Sequence, residues 1–392
     1  MSARPRLLLC GHTYAVAVNR AKAVALAAFY EVKVCAPDLA GLTIFGQAGE
    51  SFEAESAGAP YRYCRLQRWP RGWGFVRFFL PGLGREIAQW EPDIVLCEAE
   101  PWSFLRWQAW AMTRWRGRGA KFVEFTWENV RRPGWKGWVL RGMYRAAAAG
   151  ADGCICGNRR ARELMAEAGV APERLLVTGQ LGIDEESHPM VEEAAKRRWR
   201  RGLGLAEEAL VVGFCGRFVE EKGILDLLQA CEAVRRDHPE VHLALMGSGR
   251  LDGALAAAAA ERPWLRLLPP VSNAEVAGVI GHFDLLVLPS KSHRDAATGA
   301  VWEEQFGHIL LEAMMCQVPS LGSRSGAIPE VLERSDVLFE PGSPADLAMA
   351  LRRWVGDREG LGQLGRDQRA ATLAKWSHPT LAANYAAFLN SL

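Results

Sequence analysis

Glu303-Glu304-Gln305-Phe306-Gly307-His308-Ile309-Leu310-Leu311-Glu312-Ala313-Met314 is the stretch on which the reading of this chain turns. Two carboxylates, Glu304 and Glu312, flank a Phe-Gly pair and an apolar run that reads as the start of a helix. Gly307 removes a side chain at the helix mouth, where bare N–H groups and the helix dipole favour phosphate and other oxyanions. At about 1.5 Å rise per residue, Glu312 lies roughly 7–9 Å along the helix from that mouth. The two carboxylates are therefore spaced to accept hydroxyl hydrogen bonds at two points of one elongated, polyhydroxylated ligand. Taken alone, the same spacing describes a surface acidic pair, so the surroundings decide.

Upstream lies Gly213-Phe214-Cys215-Gly216-Arg217-Phe218-Val219-Glu220-Glu221-Lys222-Gly223, after an apolar strand-like run at Leu210–Cys215. Gly216 leaves room at the strand end, and Arg217 and Lys222 can face one anion. This makes a diphosphate clamp of one planar fork and one point charge. The alternative is a solvated loop in which these cations pair with Glu220 and Glu221. Met246-Gly247-Ser248-Gly249 is a second glycine-rich turn, where backbone passes close either to a ligand or to the neighbouring strand. It lacks the third glycine of the dinucleotide fingerprint.

The surrounding pattern is strand, helix, strand. In the first half the apolar runs Leu7–Cys10, Val32–Ala36, Asp93–Cys97, Lys121–Phe125, Gly153–Cys156 and Leu175–Thr178 alternate with helical patterns. The charged stretch Val177–Leu205 interrupts the rhythm, which then resumes. Alternation of this kind predicts two parallel sheets with crossover helices, with ligands at the carboxyl ends of the strands and in a cleft between the domains. Ser272 and Glu275 have capping-box spacing for a helix start, and Ser343-Pro344 reads as an N-cap followed by an N1 proline. A polar loop is expected between Ser290 and Glu304.

With 392 residues the chain exceeds one typical core. Net charge is only +2, which argues against a nucleic-acid binder. The nine cysteines are scattered without zinc spacing and fit core thiols of a reducing cytosol. Leu7–Cys10 is too short for a secretory signal, and nothing approaches the length of a membrane span.

In this order and spacing, the Gly-Arg-Phe-x-x-x-Lys-Gly run, Gly-Ser-Gly, Leu288-Pro289-Ser290, Glu304-Gln-Phe-Gly, Glu312-Ala-Met and Gly326-Ala327-Ile328-Pro329-Glu330 resemble the retaining nucleotide-sugar glycosyltransferases of family 4. The resemblance is strong over 205–375 and architectural elsewhere. It implies the GT-B fold: an acceptor domain at 1–185, a nucleotide-sugar domain at 186–375, and a last helix at 376–392 returning to the first domain. It implies that Arg217 and Lys222 hold the donor diphosphate and, with Glu304, form the catalytic set. Glu304 would bind the donor sugar and Glu312 the ribose. Phe306 and Gly307 would offer backbone N–H groups, and Gly216, Gly247 and His308 complete the donor site. Residues near Leu267–Pro270 would flank the base. The implied reaction is retaining hexosyl transfer from a UDP- or GDP-linked sugar to a glycan or lipid-linked hydroxyl, as in polysaccharide biosynthesis. No cofactor is expected. No Asp-x-Asp occurs, so a metal held in that way is not expected either. An epimerase or hydrolase on the same fold, and a non-catalytic membrane-associated partner subunit, stand as alternatives.

Gly11-His12-Thr13-Tyr14 replaces the family's glycine-rich loop, leaving only Gly11. His12, Glu128 and Asn129 join it as acceptor or cleft candidates, with Glu98 and Glu100 also after strand ends. The family's histidine is missing from Thr126–Asn129. Residues 60–150 carry 16 Arg/Lys against seven Asp/Glu and ten of the 15 tryptophans. Interleaved basic and indole side chains suit an anionic membrane surface, and equally a packed core or a sugar-stacking groove. The expectation is a cytoplasmic protein in peripheral contact with the inner face of the membrane.

Overall fold

The computed structural model describes residues 4–38, 58–70, 78–294 and 299–392. The tryptophan and arginines expected at 71–77 lie outside them. The chain forms two compact units, Met1–Gly182 with His378–Leu392, and Ile183–Ser377.

The first unit is built on seven parallel strands: β1 (Arg6–Gly11), β2 (Glu31–Pro37), β3 (Tyr61–Leu66), β4 (Ile94–Glu98), β5 (Lys121–Thr126), β6 (Gly153–Cys156) and β7 (Leu175–Val177). Their order is β3-β2-β1-β4-β5-β6-β7. Successive residues of a strand face opposite sides, so both faces must be apolar when helices cover both. Leu7 and Leu9 pack into one core with Val34, Leu96 and Phe125. Leu8 and Cys10 pack into the other with Val95, Cys97 and Phe122. β3 carries the polar, half-exposed pattern Tyr-Arg-Tyr-Cys-Arg-Leu, which is why the apolar-run reading passed over this edge strand. Cys64, Cys35, Cys10 and Cys97 fall on one register line across four strands, all as free thiols.

Helices α1 (Ala21–Leu26), α2 (Leu83–Trp90), α3 (Phe104–Arg116), α4 (Gly134–Gly150) and α5 (Arg159–Glu167) complete the layers. Between β1 and β2 the chain forms two 3-10 turns and the single short α1. A buried ion pair ties three elements together: Arg106 of α3 donates to Glu124 of β5 at 2.6 Å and to the Ala147 carbonyl of α4 at 2.7 Å.

In the second unit α6 (Glu193–Gly202) precedes six parallel strands, β8 (Leu210–Cys215), β9 (Val241–Met246), β10 (Leu265–Leu268), β11 (Leu285–Leu288), β14 (Ser320–Ser323) and β15 (Leu338–Phe339). The order is β10-β9-β8-β11-β14-β15. Between β11 and β14, β12 (His293–Arg294) and β13 (Val301–Trp302) form an antiparallel hairpin where the sequence suggested only a polar loop. The charged run near 192–201, which interrupts the strand–helix rhythm in the sequence, is α6. Its buried Arg200 is held by Glu193 and Asp284, so charges that look solvated in sequence are paired.

The remaining helices are α7 (Ile224–Val234), α8 (Asp252–Glu261), α9 (Val276–Ile280), α10 (His308–Met315), α11 (Ile328–Leu332), α12 (Pro344–Val355) and α13 (Arg358–Trp376). Ser272 does not cap α9. Its N–H and hydroxyl both donate to Glu275, closing a turn before the helix begins at Val276. Ser343 does cap α12, accepting from the Asp346 N–H.

The last helix, α14 (His378–Ser391), belongs to the first unit. Tyr385, Ala386 and Leu389 enter its core, and the Tyr385 hydroxyl donates to the Gly179 carbonyl. The break after Gly182, rather than near 185, follows from Ile183, whose N–H donates to Trp376 and which bridges Ser377.

Candidate active site

In each sheet the first strand lies beside the fourth, and the connections diverge between them, β1 beside β4 and β8 beside β11. Ligands of doubly wound sheets bind outside the carboxyl ends at this switch point. The residues singled out in the second half converge there.

The loops after β8 and β9 are fastened to one another. The Phe218 N–H donates to the Ser248 carbonyl at 2.8 Å, and the Leu251 N–H donates to the Phe218 carbonyl at 3.0 Å. A Cβ on Gly247 would lie 1.9 Å from the Gly216 carbonyl oxygen, and one on Gly249 2.5 Å from that of Phe218. The Gly-x-Gly turn is thus required by the neighbouring loop. Gly223, at φ 65, then passes so close to Pro289 that a Cβ would meet its carbonyl oxygen at 2.0 Å. This contact brings Lys222, just before it, to the end of β11.

There Lys222 Nζ stands 2.5 Å from Glu304 Oε2. The Ser290 hydroxyl donates to the same oxygen at 2.6 Å, and Ser290 is in turn held at its carbonyl by the Ser323 hydroxyl. Gly326, at φ 52, lies against the Glu304 backbone, and the Ala327 N–H donates to the Glu304 carbonyl at 2.9 Å. Glu304 is buried, fixed by loops following β8, β11 and β14. The Trp302 ring lies 5.6 Å from Lys222 Nζ. Arg217 is exposed, with no ion pair among the described residues.

Gly307 caps α10 at φ 84, so the helix begins at His308, after Glu304. Phe306 is buried edge-on against Trp376, with centroids 5.2 Å apart. One turn into α10, Glu312 Oε1 lies 3.9 Å from His308 Nε2. Burial raises the Glu312 carboxyl above the usual carboxylate range, and nearby His188 partly offsets this. His188 and Trp302 carried no periodic or motif signal, and Ser290 was visible only as the end of Leu-Pro-Ser. The second unit thus brings together a fixed carboxylate, a cation on it, a free guanidinium on the β8 loop and an eight-residue helix opening on a glycine.

The first-unit candidates also sit at strand ends, but much of their hydrogen-bonding capacity is taken up. Gly11 closes β1 against Glu98, 3.0 Å from where its Cβ would be. Glu98 accepts from Lys22, Thr13 and Gln180. Burial pushes the His12 imidazole down to about 4. Glu128 accepts from Trp102 Nε1 at 2.8 Å and Arg132 Nη1 at 3.0 Å, and Asn129 is buried beside it. Glu100 accepts from the Thr126 hydroxyl and the Trp127 N–H. Its carboxyl is pushed up to about 7 by burial first and by Glu128 second.

The pattern described as "Glycosyl transferases group 1" matches residues 195–370, and "Glycosyl transferase 4-like domain" matches 15–179. The chain belongs to the family-4-like glycosyltransferases. Among relatives, the D-inositol 3-phosphate glycosyltransferase of Geodermatophilus obscurus is 32% identical over 242 residues, 58% of this chain and 50% of that one. A GDP-mannose-dependent monoacylated alpha-(1-6)-phosphatidylinositol monomannoside mannosyltransferase of Corynebacterium glutamicum is 26% identical over 198 residues, 50% of this chain and 51% of that one. The chain thus spans about half the length of these relatives. Anabaena HepE, solved with UDP and glucose, superposes with a TM-score of 0.71 at 16% identity, covering 99% of this chain and 100% of HepE. Sucrose-phosphate synthase of Thermosynechococcus elongatus gives 0.71 at 16% identity, covering 99% and 98%. The fold of this family-4-like chain is GT-B.

Proposed function

We propose that this family-4-like chain transfers a hexosyl group from a nucleoside diphosphate sugar to a hydroxyl of a lipid-linked or glycan acceptor, with retention of configuration. The observation that carries the reading is Glu304, held at one oxygen by both Lys222 and Ser290 at the β8–β11 switch point, beside the glycine-capped start of α10. Loss of a nucleoside diphosphate puts negative charge on the phosphate and positive character on the sugar ring. Arg217, Lys222 and the α10 N–H groups stabilise the first as it develops, with little reorganisation because the loops are already fastened. Glu304 accepts hydrogen bonds from the sugar hydroxyls and offsets ring charge. Glu312, one turn along, takes the ribose hydroxyls. Two cations and no Asp-x-Asp support a reaction that uses no bound metal.

The lipid-linked acceptor draws support from the C. glutamicum relative, whose name includes a monoacylated alpha-(1-6)-phosphatidylinositol monomannoside. Acceptor recognition falls to the first unit, and work at the inner membrane face follows from it. The test is turnover of UDP- and GDP-hexoses with and without lipid-linked acceptors. Acceptor-dependent nucleotide release, with the product's anomeric configuration matching the donor's, is expected. Equal release without acceptor would assign the chain to hydrolysis or epimerisation instead.

A further inference from the structure

The tryptophans of the first unit divide by exposure. Trp90 is buried, and Trp107 and Trp110 are partly buried against each other at 5.9 Å. Trp135 and Trp138 on α4 are 73% and 70% exposed, the largest apolar side chains that this helix leaves in solvent. The helix already buries one side through Gly137, Tyr144, Ala147 and Ala148. Its opposite side shows Trp135, Trp138, Val139, Gly142 and Ala146, all exposed, at the three- and four-residue steps of a helical stripe. A water-facing helix of this length ordinarily carries polar residues there, and a contiguous apolar stripe marks a surface that is covered in use.

The charges carried by the helix itself are of one sign. No Asp or Glu occurs in Gly134–Gly150, while Lys136, Arg141 and Arg145 are exposed along it. Arg131 and Arg132, just upstream, are neutralised by Glu167 and Glu128. Arg141 and Arg145 have no such partner among the described residues, and they line a cavity of about 80 Å³ with Tyr144 and Leu164. Among the described residues no helix is long and apolar enough to cross a membrane. A stripe of indoles between unneutralised cations matches the layered chemistry of a bilayer surface: phosphates above, acyl chains below. A nucleic acid or acidic protein surface would satisfy the cations and leave the apolar stripe wet.

We propose that α4 docks the protein on anionic phospholipid, Trp135, Trp138 and Val139 entering the headgroup–acyl boundary while Lys136, Arg141 and Arg145 hold lipid phosphates. This deepens the reading that the acceptor is lipid-linked and rests on it for its purpose. The test is flotation of the full chain with phosphatidylcholine vesicles, with and without phosphatidylglycerol, at low and high salt. The wild-type protein is expected to float with the phosphatidylglycerol vesicles at low salt only. Trp135→Ser/Trp138→Ser and Arg141→Glu/Arg145→Glu are each expected to weaken this by about tenfold or more. Cooperative thermal unfolding at the wild-type temperature serves as the fold check for both pairs. Arg217→Ala, which acts on the donor site alone, is expected to float normally, so failure of the donor reading and failure of this one are distinguishable. Wild-type protein that stays unbound at every composition would overturn the proposal. So would a tryptophan pair that floats undiminished, or equal binding to neutral vesicles. A tryptophan pair that changes self-association in sedimentation but not flotation would make the stripe a protein interface, and would overturn it too.

Discussion

Lys222 Nζ lies 2.5 Å from Glu304 Oε2 although 82 residues separate them in the chain. Both side chains are largely buried, so each neutralises a charge the other could not leave to solvent. Lys222→Met is expected to cost about 3 kcal/mol, because among the described residues it leaves the carboxylate with Ser290 as its only donor. Transfer should fall by about 10²–10³-fold if Lys222 also meets the leaving diphosphate. Chemical denaturation and steady-state kinetics on the same preparation measure the two losses. Undiminished turnover would remove Lys222 from the chemistry.

Arg217 is exposed and takes no part in such a pair, so its replacement should spare the fold. Nucleotide bound to the native state raises the melting temperature. UDP or GDP is expected to do so in the wild-type protein. In Arg217→Ala the affinity should drop by about 1.5–3 kcal/mol, on the order of tenfold or more. An unchanged shift in the variant would place the diphosphate elsewhere.

The glycines separate into two kinds. A Cβ on Gly326 would meet the Glu304 carbonyl oxygen at 2.0 Å, whereas one on Gly253 in α8 meets nothing within 4 Å. Gly326→Ala should destabilise by about 2–4 kcal/mol through strain and displacement of Glu304. Gly253→Ala should stabilise by about 0.5–1 kcal/mol. Thermal melts of the two variants, with nucleotide binding for the first, check the contrast. A harmless Gly326→Ala would show that the β14 loop does not fix Glu304.

The Glu100 carboxyl, pushed up from 4.5 to about 7, makes a prediction with a definite sign. Between those values the folded state holds a proton that the unfolded chain has released, so this group's contribution to stability falls as pH rises. The difference is about 3 kcal/mol at most. His12, pushed down to about 4, acts with the opposite sign between pH 4 and its unfolded value of 6.5. The informative quantity is therefore the difference between wild-type protein and Glu100→Gln. The variant should gain stability relative to wild type as pH rises from 4.5 to 7, measured by urea unfolding. Parallel pH curves would show that Glu100 ionises normally.

Much of the candidate site in the second unit was legible in the sequence because strand-end loops carry short, ordered motifs. Gly-Arg-Phe, Gly-Ser-Gly and Leu-Pro-Ser follow β8, β9 and β11, whose ends a parallel sheet brings to one edge, and Glu-Gln-Phe-Gly leads into α10. The apolar runs likewise announced most strands. β3 escaped because an edge strand half in solvent has no continuous apolar run, and α6 because the pairing that buries Arg200 includes Asp284, 84 residues away in the chain.

By itself, the sequence determined the two-sheet architecture and the strand-end residues of the candidate site, since local pattern and topology govern both. Only the tertiary structure decided that Glu304 is a buried partner of Lys222 and Ser290 rather than a surface acid of the Phe-Gly stretch. Its environment comes from three loops distant in the chain, and burial depends on what those loops bring. The tertiary structure also decided which tryptophans are core and which lie on the outer face of α4. Composition counts indoles without regard to the side on which a helix presents them.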